Sequence, residues 1–163
     1  RALLREARRQ KNLPDIAVPP ACLLDPDGDI VAHLLRHGAR RHEGWACYHT
    51  DLIVFDLPGV PHPVGAIGRA VGAPFAVLLA EQFFASGGET LVSITSSGRI
   101  AEGLPPGPHF VLIESALRDE GTSHHYAPPA AFADAPDAAL IARVAARAAD
   151  EVPDITVRRG ATW

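Results

Sequence analysis

The sequence predicts a single α/β domain in which one sheet is flanked by helices, and three features predict it. "TLVSIT" (90–95) and "HFVLIESA" (109–116) are continuous apolar runs without strict alternation, the pattern of central strands covered on both faces. Helical periodicity in "APFAVLLAEQFFASGG" and "DAALIARVAARAADE" falls between strand-forming runs, and strands alternating with helices argue for an open layered structure. No internal repeat or low-complexity tract interrupts the 163 residues, a length that supports one hydrophobic core.

Taken in order, Leu3, Leu4 and Ala7 among arginines predict a weakly amphipathic peripheral helix, followed by the proline-punctuated "LPDIAVPP". "ACLLD" reads as a short strand. "DPDGD" supplies turn and N-cap chemistry for a helix "IVAHLLRH", which Gly38 can end in a left-handed conformation. "DLIVFDL", closed by Pro58-Gly59, and "HPVGAIGRAV" are expected to pair as a hairpin. The main helix after Gly72 places Val77, Leu78, Ala80, Glu81, Phe84 and Ala85 at helical spacing, and Gly87-Gly88 ends it. "DAALIARVAARAADE" is an alanine-rich amphipathic helix and "DITVRRG" a final strand.

Composition limits the function classes. A formal charge of -4 gives no net attraction to nucleic acid or to anionic lipid, although the opening "RALLREARRQK" is locally basic. A small soluble substrate is expected. No apolar stretch approaches the roughly 20 residues that span a bilayer, and no signal-peptide segment opens the chain, so a cytoplasmic location is expected. Cys22 and Cys47 form neither a metal-type pair nor a disulfide framework, which fits a reducing compartment. With no methionine, a start at Arg1 and an end at "DITVRRGATW", the chain reads as a fragment of a longer protein.

In open α/β sheets ligands sit at the carboxyl ends of strands, so three loops matter: "GRAVGAP", "TSSGRIAEG" and "RDEGTSHHY". Gly65, Gly68 and Gly72 do not match the G-x-G-x-x-G spacing of dinucleotide sites, and glycines there also serve close strand–helix packing. "TSSG" (95–98) can offer hydroxyl and amide donors to a phosphate or sugar oxygen, or its hydroxyls can satisfy their own turn. His33 and His37 stand four apart with His42, Cys47 and His49 following. "HLLRH" has leucine where H-E-x-x-H carries its glutamate base, so no metal site is assigned and His33 and His37 read as helix-surface residues. "RDEGTSHHY" can be a structural cluster, with Arg118 pairing Asp119 or Glu120 and Thr122 or Ser123 capping a turn.

The order "VGAPFAVLLAEQFFASGGETLVSITSSGRIAEG", "HFVLIESALRDEGTSHHYAPP", "VRRGATW" resembles the nucleoside phosphorylase family in its uridine-phosphorylase-like branch. The resemblance covers about residues 63–163, and "RDEGTSHHY" is its most specific element. It implies a central mixed sheet flanked by helices over 1–163, cut short at the C-terminus. It also implies phosphorolysis of a nucleoside to free base and pentose 1-phosphate. No cofactor is implied beyond inorganic phosphate as co-substrate, and the partners implied are a nucleoside, phosphate and further copies of the chain in a homo-oligomer with shared sites. Because the transition state is oxocarbenium-like, the protein orients phosphate and balances charge and needs no nucleophilic triad of its own.

Carried over by position, the resemblance gives Ser96 and Gly28 to phosphate. It gives Thr95, Ser97, Gly98 and Thr162 to the nucleoside. Arg118, Asp119, Gly121, Thr122, His125 and Tyr126 form a site-shaping loop, in which Arg118, Asp119 and Thr122 brace by hydrogen bonds and His125 and Tyr126 face ligand or a neighbouring subunit. No catalytic residue is assigned. The chain departs from the family at Ser93, where a phosphate-binding arginine is usual, and at Thr95, where the turn has glycine. A hydroxyl cannot replace a bidentate guanidinium. Arg40, Arg41 or Arg69 is left to supply the charge. Two alternatives stay open: a nucleosidase that uses water, and a degenerate member that binds nucleoside without turnover.

Overall fold

The computed structural model describes residues 2–100, 102, 103, 107 and 109–163. The chain divides into two compact units, residues 1–98 and 99–163. The first contains α1 (Ala2–Lys11), β1 (Ala21–Asp25), α2 (Asp29–Arg36), β2 (Arg40–Arg41), β3 (Ile53–Phe55), β4 (Val64–Gly68), α3 (Ala73–Ala85) and β5 (Thr90–Ser93). The second contains β6 (His109–Leu117), a 3-10 turn (Ser123–His125), β7 (Phe132–Asp134), α4 (Ala138–Glu151) and β8 (Thr156–Thr162).

In the first unit a five-stranded mixed sheet runs in the order β2-β3-β4-β1-β5. The expected hairpin forms, with β3 antiparallel to β4 through Ile53–Ala66 and Phe55–Val64. β1 lies parallel to β4 on one side and to β5 on the other. "ACLLD" therefore becomes the inner parallel strand, and its Cys22 and Leu24 join Leu52, Val54, Ile67 and Trp45 in the core. Burial pushes the Cys22 thiol up to about 12, so it serves as a small apolar filler. On α1, Leu4 and Ala7 turn inward beside Ala46, while Leu3 faces water.

α3 forms where expected, but a different face is buried. Leu79 and Phe83 enter the core with Phe75 and Ala76 against it, while Leu78 and Phe84 of the expected stripe are exposed. The helix is apolar nearly all round, so spacing alone selects no face. The choice is fixed downstream, where the chain folds back over Phe83 through left-handed Gly87 (φ 102°). A Cβ on Gly88 would stand 2.2 Å from the Phe83 ring, so only glycine fits there.

β5 is also a correction, since it forms an edge strand with most of its residues exposed rather than a central strand. A run of apolar residues records that both faces are apolar and says nothing of how many neighbours a strand has. In the second unit β6 is central, between antiparallel β7 and parallel β8, as "HFVLIESA" and "DITVRRG" lead one to expect. Its faces are less covered than expected, with Phe110 and Ile113 about half exposed. α4 starts at Asp137, whose carboxylate accepts the Leu140 amide at 2.7 Å. Arg159 of β8 pairs with Glu114 of β6 across the sheet. Among the described residues no helix is long and apolar enough to cross a membrane.

Because Phe83 is fully buried and cannot swing aside, Gly88→Ala is expected to destabilise the first unit by about 1–3 kcal/mol. A lower urea midpoint at unchanged slope is the expected reading, and an unshifted midpoint would refute the packing account.

Candidate functional site

The carboxyl ends of β1, β4 and β5 lie side by side because β1 has the other two as its parallel neighbours. Open sheets bind ligands at such ends. Asp25 closes β1 and is buried. Its carboxylate accepts the Gly28 amide at 3.0 Å and the Val31 amide at 2.9 Å, and its carbonyl accepts the Arg69 amide at 2.8 Å. Acidic "DPDGD" thus does supply the cap of α2, but through a carboxylate three residues ahead of left-handed Gly28 (φ 87°), which is itself the N-cap. At the other end Gly38 is left-handed and the Ala39 amide reaches the Leu34 carbonyl at 3.1 Å.

Arg69 crosses directly over this turn. A Cβ at Gly28 would meet the Arg69 Cγ at 2.9 Å, so the glycine makes room for the arginine stem. Arg69 itself is left-handed (φ 61°), a conformation that costs a non-glycine residue about 1–2 kcal/mol. Its guanidinium is exposed, and no carboxylate pairs with it among the described residues. The other two arginines weighed for this role lie elsewhere. Arg40 and Arg41 form β2 at the far edge of the sheet, and Arg41 pairs with Asp51 at 2.7 Å.

Thr95 and Ser96 come off the end of β5 beside the same turn. The Ser96 amide donates to the Asp27 carboxylate at 2.7 Å and the Thr95 hydroxyl to the same oxygen at 3.3 Å. The bond from the Ser96 amide, foremost, holds the Asp27 carboxyl below its ordinary range. Gly28, Thr95 and Ser96 are therefore brought together, with Arg69 and Asp27 as added charges. Ser93 pairs with Leu24 within the sheet, exposed, at the position where the family pattern has arginine. Ser97 and Gly98 continue exposed beyond this cluster, and Ala101 of the same loop lies outside the described residues. Chemically, a cation against the Gly28 turn and an amide and a hydroxyl at the end of β5 are groups that suit an anion, and Asp27, which takes the amide, opposes one.

The second cluster lies at the carboxyl ends of β6 and β8, which are parallel, with Ala116 opposite Thr162. Arg118 is buried and donates to Ser123 Oγ at 2.9 Å and to the carbonyls of Pro128 (2.5 Å) and Ala127 (3.1 Å), with His124 Nδ1 at 3.3 Å. It braces the loop through these groups and not through Asp119 or Glu120. Glu120 instead accepts the Thr122 and Ser123 amides, and hydrogen bonding from the Ser123 side chain, foremost, holds its carboxyl below the usual range. Asp119 accepts the Trp163 indole N–H. His125 and Tyr126 are exposed on the 3-10 turn, Gly121 is exposed before it, and Thr162 is half-buried. The bracing roles of Glu120, Ser123 and His124 follow from the turn that brings their backbone round, which residue types alone do not disclose.

His33 and His37 stack on the surface of α2 with ring centroids 4.1 Å apart. His42 bonds the Ala17 carbonyl at 3.0 Å and takes the Gly44 amide, a backbone-bracing role. Among the described residues no three histidine, cysteine, aspartate or glutamate side chains gather as a metal ion would need. Gly65 and Gly68 pack closely on Cys22 and Val31, which is the packing use of those glycines.

No family model and no curated protein matches the sequence. Solved structures do match the fold. A uridine phosphorylase from Vibrio fischeri ES114 superposes with a TM-score of 0.70 at 18% identity, covering 91% of this chain and 60% of that one. The same enzyme complexed with 6-hydroxy-1-naphthoic acid gives 0.70 at 18%, covering 88% and 57%. A purine nucleoside phosphorylase from Toxoplasma gondii in complex with immucillin-H gives 0.72 at 15%, covering 91% and 58%. The chain therefore has the mixed α/β fold of nucleoside phosphorylases, as its motifs lead one to expect, and spans about 60% of their length.

Because the folded Glu120 carboxyl lies below its unfolded value, its hold on the turn is present at neutral pH and is lost only as pH falls through that depressed value. The Thr122 and Ser123 amide signals in NMR should therefore stay fixed through the usual glutamate range and move below it. Movement at or above that range would contradict the assigned bonds.

Proposed function

We propose that this chain forms part of a pentosyltransferase in which inorganic phosphate cleaves the N-glycosidic bond of a nucleoside. The observation that carries the reading is the meeting of the Gly28 turn, Arg69 and the Thr95–Ser96 amide and hydroxyl donors at three parallel strand ends. The fold shared with uridine and purine nucleoside phosphorylases supports it. In this reading a phosphate oxygen bonds to C1′ while the glycosidic bond breaks with its electron pair leaving on the base. Positive charge grows on the sugar between them. The Ser96 amide orients the phosphate, and Arg69 supplies the cation that Ser93 does not, reaching from β4 over Gly28. Ser97 and Gly98 follow as the groups nearest the nucleoside. These are backbone and electrostatic contributions, so no side-chain nucleophile is required.

A second reading replaces phosphate by water. It is favoured by the Asp27 carboxylate, which already holds the Ser96 amide, and by the uncharged Ser93. Homo-oligomeric assembly and a cytoplasmic setting belong to the first reading, the latter in keeping with two free buried thiols.

The test is base release from uridine, inosine and adenosine by the full-length protein, with and without phosphate, with the sugar product identified. Pentose 1-phosphate formed only with phosphate is the expected outcome. Free pentose formed without phosphate establishes the water reading, and tight nucleoside binding with no turnover removes both. Arg69→Gln should raise KM for phosphate about 10–100-fold, the scale of one charged hydrogen bond, with little change in nucleoside KM. An unchanged phosphate KM would take Arg69 out of the site. In sedimentation the active species should be larger than one chain, and a fully active monomer would contradict the assembly.

A further inference from the structure

We propose that the Asp27 carboxylate is an internal competitor for the acceptor anion, seated on the donors that would hold phosphate, so that phosphate binds only by displacing it. The inference rests on the reading of Ser96 and the Gly28 turn as the site of the phosphate acceptor.

Four observations converge. Asp27 Oδ2 takes the Ser96 amide at 2.7 Å and lies 3.3 Å from the Thr95 hydroxyl, whose one proton it shares with the Ser96 carbonyl at 3.1 Å. Asp27 is exposed, so no burial forces its side chain into place and those donors are what hold it. Its backbone is delivered there by the turn that Asp25 fixes, one residue before left-handed Gly28. The Arg69 guanidinium, whose stem lies against the Gly28 turn, forms no ion pair among the described residues. It is left available to a second anion. The same donors keep Asp27 ionised, because they favour its charged form.

A carboxylate is a fair mimic of one edge of a phosphate, with two oxygens accepting from amide and hydroxyl donors. A phosphate brought to Ser96 meets both a blocked amide and a like charge within a few ångströms. Asp29, exposed in the first turn of α2, adds to the repulsion at longer range. The neutral amide of asparagine would keep an acceptor oxygen for Ser96 and remove the charge. That substitution separates competition from simple bracing of the β5 loop.

The experiment is calorimetric titration of the full-length protein with inorganic phosphate alone, at fixed ionic strength and neutral pH, for the native sequence, Asp27→Asn and Asp27→Ala. Thermal unfolding is recorded for each. Competition is expected to give phosphate binding about tenfold tighter in Asp27→Asn, the scale for removing one exposed charge a few ångströms away, and tighter again or equal in Asp27→Ala. Equal affinity in native and Asn forms, weaker binding in the Ala form, or no phosphate binding in any of the three would overturn the proposal. Because no nucleoside is present, tighter phosphate binding without nucleoside cleavage would sink the proposed reaction and leave the competition standing. Cleavage with unchanged phosphate affinity would do the reverse.

Discussion

One buried carboxylate organises the end of the first sheet. An acid with almost no exposure is costly unless every oxygen is used, and Asp25 uses its side chain on two amides and its carbonyl on a third. The three amides belong to the turn, to the first turn of α2 and to the exit of β4. Two uncommon left-handed residues, Gly28 and Arg69, flank it and touch each other. Without that acid the turn that carries Asp27 loses its two side-chain ties, while the path that carries Arg69 is tied to the same residue through its backbone carbonyl. The charge pattern of the site is thus set from inside the core.

Much of the fold was legible. "ACLLD", the 53–68 hairpin, the four helices and "DITVRRG" all announce themselves through period, turn residues and caps, because these signals are local. What failed was the assignment of neighbours. α3 is apolar on more than one side, so its buried face depends on Gly88 and Phe83, which meet only after the chain has turned. β5 has the composition of an inner strand and sits at an edge, since strand order is a property of the sheet and not of the run.

The site was legible in parts for the same reason. Gly28, Thr95 and Ser96 follow strands and carry the chemistry expected of loops there. Which of three arginines lies against the Gly28 turn depends on β4 lying beside β1 and β2 not, which the sequence does not state. Asp27 was hidden within "DPDGD", read only as turn chemistry, although its partner Ser96 lies a full α/β unit away in sequence. In the second loop, Arg118 looked like a member of an ion pair. Its actual partners are the Ser123 hydroxyl, the His124 ring and two carbonyls, and the carbonyls are contacts no side-chain pattern records.

The parallel pairing of β6 with β8 also governs how the second unit comes into being. β6 emerges from synthesis first, and its partner arrives only after β7 and α4 have been made. Closing so long a loop is an entropic cost met before any ladder contact compensates it. In that interval β6 has only three-residue β7 to cover one edge, with Phe110 and Ile113 facing water. An open apolar edge recruits strands from other chains. Yield of this unit is then a race between the pace of translation and intermolecular pairing, in which α4, quick to form behind its Asp137 cap, shortens the search that β8 must make.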